Sequence, residues 1–346
     1  MLNIISFTVY EYVYSFLNEK DRNILMQVCQ RLYKFAYLHK LNYIHDTKFA
    51  DIMLKDKRCN IQFDFDVNAS GPIFIIFGND YVQYIDRVPI NIDIYDVNVL
   101  HFSGILTNKF NKLSNNTNII TFGDYFDSYY YLPNSIIHIT CGRNFNQNVK
   151  MIPNNTATIR FGDKFNKSIN KLSDSVQTIT LGRDFNRSIK KLPTNLVKIE
   201  FGYYFNKKIS RINKNLSEII FGYSFNRSIN VLHDSNIMKL VFGYMFNKPT
   251  KFPQSLKILR FGKYFNSACE YPNLDVLEFG DYFDQDISNL PTSLKTLSFG
   301  NSFDRSIEQL LLKTTNLISL KISRIYRHPI GLVPNSLVNI LSLIHI

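Results

Sequence analysis

Residues 161–206 read FGDKFNKSINKLSDSVQTITLGRDFNRSIKKLPTNLVKIEFGYYFN. The phrase Gly-x-x-Phe-Asn occurs three times in this window, at Gly162, Gly182 and Gly202. Beyond it the phrase recurs at Gly123, Gly142, Gly222, Gly243, Gly262, Gly280 and Gly300, at intervals of 18 to 21 residues. In all ten copies a Phe stands three residues after the glycine, and Asn or Asp follows it. A fixed period near 20 is the mark of a solenoid, in which each copy forms one coil stacked on the last.

The unit around the phrase is regular too. In residues 192–206, LPTNLVKIEFGYYFN, the apolar Leu196, Ile199 and Phe201 are separated by Lys198 and Glu200. Such alternation is that of a strand with one buried face. The glycine is expected to end the strand, where the backbone turns sharply and a Cβ would clash. Leu192 and Ile209 line the return leg, and Pro193 punctuates it before the next strand. Equivalent strands one period apart run the same way, so they should pair into a parallel sheet at about 4.8 Å spacing.

Stacking explains the invariant side chains. Equivalent phenylalanines form one internal column. The asparagines form a second column that can satisfy backbone groups left unpaired where the coil turns. Asp127, Asp284 and Asp304 replace Asn in three copies, so the position tolerates a carboxylate. A residue repeated in every coil is read as structural rather than as a ligand or catalyst.

The unit S-[LI]-x-x-[LI]-x-F-G-x-x-F-N-x-x-I-x-x-L-P resembles the FNIP repeat, a leucine-rich-repeat relative found in many amoebal and giant-virus proteins. Residues 113–312 carry the resemblance, with Cys141 and Leu181 in place of the Phe before the glycine. Copies around Phe77-Gly78 and Phe102-Ser103-Gly104 are degenerate, and Pro334-Asn335-Ser336-Leu337 reads as the start of a last, capping coil.

The first forty residues follow a different pattern. From Ile24 the apolar residues fall at 24, 25, 28, 29, 32, 35 and 36, a helical period, with Asp21 as a plausible N-cap. A shorter helix is expected before it, with Val9, Val13, Phe16 and Leu17 on one face. Tyr14-Ser15-Phe16-Leu17, Asp21, Ile24-Leu25 and Val28-Cys29-Gln30-Arg31-Leu32-Tyr33 resemble an F-box, although the usual Leu-Pro opening is absent and Ile5-Ser6-Phe7 occupies that region. The resemblance implies docking on the Skp-type adaptor of a cullin–RING ubiquitin ligase through Phe16, Leu17, Ile24, Leu25 and Val28. The alternative is a helical cap shielding the end of the solenoid, which such arrays need. The chain therefore reads as α+β. Residues 1–41 are a short F-box-like helical module, and 42–112 a connector of degenerate repeats with strands near 61–65 and 73–77. Residues 113–312 are a leucine-rich-repeat-like solenoid with a parallel β-sheet, and 313–346 are degenerate or capping repeats.

Composition narrows the class. Cys29, Cys59, Cys141 and Cys269 are scattered without a CxxC, which suits a reducing compartment rather than disulfides or zinc. No secretory leader and no membrane span are expected, because the N-terminus lacks a basic region and no run of eighteen apolar residues occurs. An intracellular, cytoplasmic location follows, the host cytoplasm if the source is viral. No Walker loop, HExxH or nucleophile elbow is present, and the seven histidines lack ligand spacing, so neither an enzyme activity nor a cofactor is expected.

Binding is the natural use of such a sheet. Its outward rows lie two and four residues before each glycine, and they vary where the core does not. The candidate target-binding residues there are Arg160, Lys198, Glu200, Glu218, Arg260 and Glu278, and their mixed charge points to a protein partner. Tyr203, Tyr204, Tyr223, Tyr244, Tyr264 and Tyr282 cluster at the strand ends, either as an interface or as a stabilised coil edge, and Tyr203, Tyr223 and Tyr244 join the candidate set. The formal net charge is +12, part of it periodic: Lys167, Arg187, Lys207, Arg227, Lys248 and Arg305 each lie five residues after the glycine. Stacked, these could track phosphates. No nucleic-acid-reading motif accompanies them, and a solvated face that keeps the solenoid soluble is the reading preferred. The resulting expectation is a substrate receptor of a ubiquitin ligase, with the helices holding the adaptor and the solenoid an unknown target protein. The alternatives are a non-enzymatic interaction or structural solenoid with a helical cap, and a nucleic-acid binder through the basic column.

Overall fold

Three residues from glycine to phenylalanine is the span of a tight turn. In a computed structural model of the chain, the backbone N–H groups of Phe165, Phe185, Phe205, Phe265 and Phe283 donate to the carbonyl of the glycine three residues earlier, at 3.2–3.4 Å. A second turn of the same span follows the proline, where Leu196 donates to the Pro193 carbonyl at 3.2 Å and Leu256 to that of Pro253 at 3.1 Å. A short strand and a return leg join the two turns into one coil. The structure describes residues 74–77, 99–102 and 118–342, apart from 125 and 128–130. The expected N-terminal helices and the strand near 61–65 lie outside these residues.

The chain divides into two compact units, Met1–Gly142 and Arg143–Ile346. In the first, β1 (Phe74–Phe77), β2 (Val99–Phe102), β3 (Ile119–Phe122) and β4 (His138–Thr140) pair in parallel in chain order. In the second, the strands are β5 (Thr158–Arg160), β6 (Thr178–Thr180), β7 (Lys198–Glu200), β8 (Glu218–Ile220) and β9 (Lys239–Val241), followed by β10 (Ile258–Arg260), β11 (Val276–Glu278), β12 (Thr296–Ser298), β13 (Ser319–Ile322) and β14 (Asn339–Ser342). Each pairs in parallel with the next, and the register advances by one repeat per coil, Ile179 beside Ile199 beside Ile219. The central residue of each strand from Ile159 to Leu320 is fully buried while its neighbours are half-exposed or exposed, as the alternation predicts. The described residues hold little helix. There is one six-residue turn, Glu308–Lys313, and two 3-10 turns, Val149–Met151 and Asn230–Leu232.

The phenylalanine column is present. Phe145, Phe165, Phe185, Phe205, Phe225, Phe246, Phe265, Phe283 and Phe303 stack ring on ring with centroids 5.9–6.2 Å apart, and all are buried. A second column runs beside it through Phe201, Phe221, Phe242, Phe261, Phe279 and Phe299, at 5.4–5.7 Å. Within a coil the two phenylalanines lie face to face, 3.6–4.0 Å apart between centroids. Leu181 fills the second column where Phe is missing and stays buried. The spacing is wider in the first column than in the second, so the coils of this unit open away from the strand face.

The asparagine ladder is present as well. The side-chain Oδ1 of Asn146 accepts from the backbone N–H of Asn166, 2.9 Å away, and the pattern repeats from Asn166 through Asn186, Asn206, Asn226, Asn247 and Asn266 to Asp284 at 3.0–3.1 Å. Each rung needs only an acceptor oxygen, which is why Asp serves: the Asp304 carboxylate accepts from the Arg327 N–H at 2.9 Å.

The expected Cβ clash at the glycine is present, and its partner is the neighbouring coil. None of the repeat glycines has a positive φ; among the described glycines only Gly331 does. A Cβ on Gly202 would instead lie 1.8 Å from the carbonyl oxygen of Gly182, and the same clash, at 1.8–2.1 Å, meets a Cβ at Gly142, Gly222, Gly243, Gly262, Gly280 and Gly300. The constraint is close approach of one coil to the next, not a strained turn. One of the degenerate coils expected over residues 313–346 lacks both markers of the phrase. Ser323 and Tyr326 stand where Gly and Phe would be, with Ser323 Oγ donating to the Asn301 carbonyl at 2.8 Å and Tyr326 buried. In the coil that follows, Ile340 holds the register of buried Leu320 and is 44% exposed.

Candidate functional site

The outward rows lie where the alternation puts them, and their charges meet one another. Lys198 on β7 and Lys239 on β9 flank Glu218 on β8, at 4.0 and 3.4 Å, and Arg260 on β10 pairs with Glu278 on β11 at 3.1 Å. Lys295 and Asp275 pair beside β12 at 3.4 Å. Such half-exposed pairs contribute about 0–1 kcal/mol each. Their larger effect is to offset charge locally on the strand face. Glu200 lies between Thr180 and Ile220 in the register, and Arg160 lies on β5, two strands before Glu200; neither forms an ion pair among the described residues. Four of the six candidates thus fall in two paired clusters, and Arg160 and Glu200 stand outside them.

The tyrosines at the strand ends form one strip. Tyr203 stacks on Tyr223 at 4.4 Å and Tyr223 on Tyr244 at 4.6 Å, with rings within 14° of parallel. Tyr264 then meets Tyr244 edge-on at 5.2 Å and Tyr282 at 5.0 Å. Two cations missed in the sequence close the strip. The Arg183 guanidinium lies 5.7 and 5.5 Å from the Tyr203 and Tyr204 rings and donates to the Tyr204 hydroxyl at 3.3 Å. The Lys263 ammonium lies 5.4 and 5.7 Å from Tyr244 and Tyr282. The spacing of Tyr residues at the first and second positions after the glycine was the available signal, because charges at the same positions one coil away must fall beside the rings.

This stacking decides what the strip can bind. Tyr203, Tyr204, Tyr264 and Tyr282 are 40–44% exposed. The faces of Tyr203, Tyr223 and Tyr244 are taken by their neighbours, so ring edges and hydroxyls are what they present. Desolvation among the neighbours, then the adjacent phenols, push Tyr223 above its ordinary pKa. An amphipathic surface of that kind suits protein contact.

The basic column stands on the far side of the turn, and all six of its residues are exposed. Its arginines are held by the coil before: Nε of Arg187 donates to the Asn166 carbonyl at 2.9 Å, Arg227 to Asn206 at 3.2 Å and Arg305 to Asp284 at 3.0 Å. Among the described residues no group of three His, Cys, Asp or Glu could hold a metal ion, and no helix is long and apolar enough to cross a membrane. Cys141 is buried and free, and its burial pushes the thiol far above its ordinary pKa. Phe16, Leu17, Ile24, Leu25 and Val28, the expected adaptor contacts, lie outside the described residues.

Parallel one-strand coils, a buried aromatic spine and an outward variable sheet define a leucine-rich-repeat-like solenoid. FNIP repeats are found in the chain by the FNIP Repeat family model, which matches residues 131–164, 165–204 and 272–302. Among solved structures the chain is similar to CroV588, described as a novel circular LRR protein structure, with 32% identity and a TM-score of 0.63. That likeness covers 71% of this chain and 43% of CroV588, so the chain spans less than half the length of that protein. No curated protein matches.

Proposed function

We propose that the chain is a non-enzymatic recognition subunit whose solenoid holds a target protein and whose N-terminal segment connects that target to a cullin–RING ubiquitin ligase. The observation that carries the first half is the exposed tyrosine strip, flanked by Arg183 and Lys263, beside a strand face of mixed and partly paired charge. A face of mixed charge bordered by rigid aromatic side chains favours a protein surface over a polyanion. The second half rests on the F-box-like residues between Tyr14 and Tyr33. In this reading the chain performs no chemistry; it raises the effective concentration of the target at the ligase.

The test is a pull-down of the full chain with a recombinant Skp-type adaptor and cullin, beside a circular-dichroism melt. Deleting residues 1–40, or replacing Leu17 and Ile24 with Asp, should abolish adaptor capture and leave the melt of the array in place. An unpaired carboxylate in an apolar contact costs several kcal/mol. If the intact chain captures no adaptor and the deletion unfolds the array, the segment is a structural cap and the ligase half of the proposal fails.

A further inference from the structure

The two sides of the coils of the second unit treat charge in opposite ways. On the strand face and its rim, neighbouring coils supply opposite signs. Beyond the strand pairs already described, Arg143 meets Asp163, Lys164 meets Asp184, and Lys263 meets Asp281, at 3.6–3.8 Å. On the return legs the neighbours share a sign. The first basic row, Lys167 to Lys248, runs one cation per coil over five coils. A second row follows on the same legs: Lys171, Lys191, Arg211 and Lys251, interrupted by Val231. All of these cations are exposed, and among them only Lys191 has a carboxylate partner, Asp174 at 3.6 Å. The parallel bridges Ile189–Ile209 and Lys251–Glu270 show that the legs stack in step, so each row is continuous in space and the second ends at Glu270.

A surface built for solubility intersperses signs. Two rows of like charge, unpaired but for Lys191, on a protein that pairs most neighbouring charges on its other side, carry a self-repulsion that a counter-charge relieves. We infer that the return-leg face between Lys167 and Lys251 is a binding surface for a nucleic-acid strand, held by its phosphate backbone without base readout. The rows are linear and advance one charge per coil, and the neighbouring phenylalanine column sets that repeat at 5.9–6.1 Å. This geometry matches the run of phosphates along an extended single strand better than the two-dimensional spread of a lipid surface. Arg187 and Arg227 spend Nε on the Asn166 and Asn206 carbonyls, which fixes each guanidinium while leaving its terminal nitrogens for a phosphate. Among the described residues no exposed aromatic face accompanies the rows, so sequence preference is not expected. The charge column alone, as read from the sequence, did not favour nucleic acid; the contrast in ion pairing between the two sides does. The inference is independent of the ligase reading, because it uses a different face.

The experiment is fluorescence anisotropy of a labelled oligothymidylate of about 20 nucleotides with the full chain. With about five phosphates contacted, the single-strand salt slope is about −3.5, so affinity should fall about a hundredfold between about 50 and 200 mM salt. The variant Lys207→Glu with Arg211→Glu, in the central coil, should lose at least tenfold in affinity. The control Lys313→Glu with Arg324→Glu carries the same change of net charge away from the rows and should bind as the parent does, with circular dichroism confirming that both variants are folded. Absence of binding at the lower salt, equal loss in both variants, or retention by phosphatidylserine vesicles in place of the oligonucleotide would each overturn the inference.

Discussion

The interior phenylalanine column and the rim tyrosine strip are both stacked aromatics on the same period, and they differ in one respect. Phe185, Phe205 and Phe225 are sealed from solvent, whereas Tyr203 is 40% exposed and charged side chains lie against the rings of the strip. Periodicity therefore indicates that residues touch across coils, but not what the contact is for. Burial separates the column that holds the coils together from the strip that remains available to a partner.

The largest effect is expected where stacking and burial coincide. Phe185→Ala opens a cavity in the middle of the column and should destabilise the array by about 3–5 kcal/mol in a denaturant titration. A loss below about 1 kcal/mol would make the interior column no different from the rim. Gly202→Ala tests the close approach of coils: with a carbonyl oxygen 1.8 Å from the added Cβ, overpacking should cost about 1–3 kcal/mol or more, read as a lowered Tm. A neutral substitution would show that coil spacing is soft and that the glycine has another purpose.

The ladder offers a finer comparison. Asn186→Leu removes the acceptor for the Asn206 N–H and should cost about 1–3 kcal/mol. Asn186→Asp keeps the acceptor, as Asp304 does in its own rung, and should lose clearly less. Equal losses in the two variants would mean that the side-chain amide matters in its own right. On the rim, Tyr223→Ala removes two stacked contacts and should cost only about 1 kcal/mol of stability. If the strip is the interface, the same change should weaken target capture more than tenfold. A large loss of stability with capture unchanged would make the strip a coil edge like the interior column.

Much of this was legible along the chain. The ten-fold Gly-x-x-Phe-Asn phrase fixes a coil of about twenty residues, and residues that recur at a fixed interval must meet their own copies when coils stack. The phenylalanine column, the asparagine ladder and the parallel register all follow from that. The coil at Ser323 was legible only as a degenerate repeat, because both of its marker residues are replaced, Gly by Ser and Phe by Tyr, although burial of Tyr326 preserves the plan. The second phenylalanine column was legible only as apolar positions, since its pairing with the first depends on ring orientation within the coil.

By itself, then, the sequence determined the period, the stacking partners and the inward or outward sense of each position, because these depend on spacing alone. The tertiary structure decided why the glycines are glycine, which charges cancel and which stand alone. Those depend on how closely coils approach and on where flexible side chains reach across them: Glu218 reaches two lysines on either side, whereas Lys207 and Arg227 stand one coil apart with no acid between them. Charge pairing is set by neighbours twenty residues away, and a repeat that preserves its core can alter those neighbours freely.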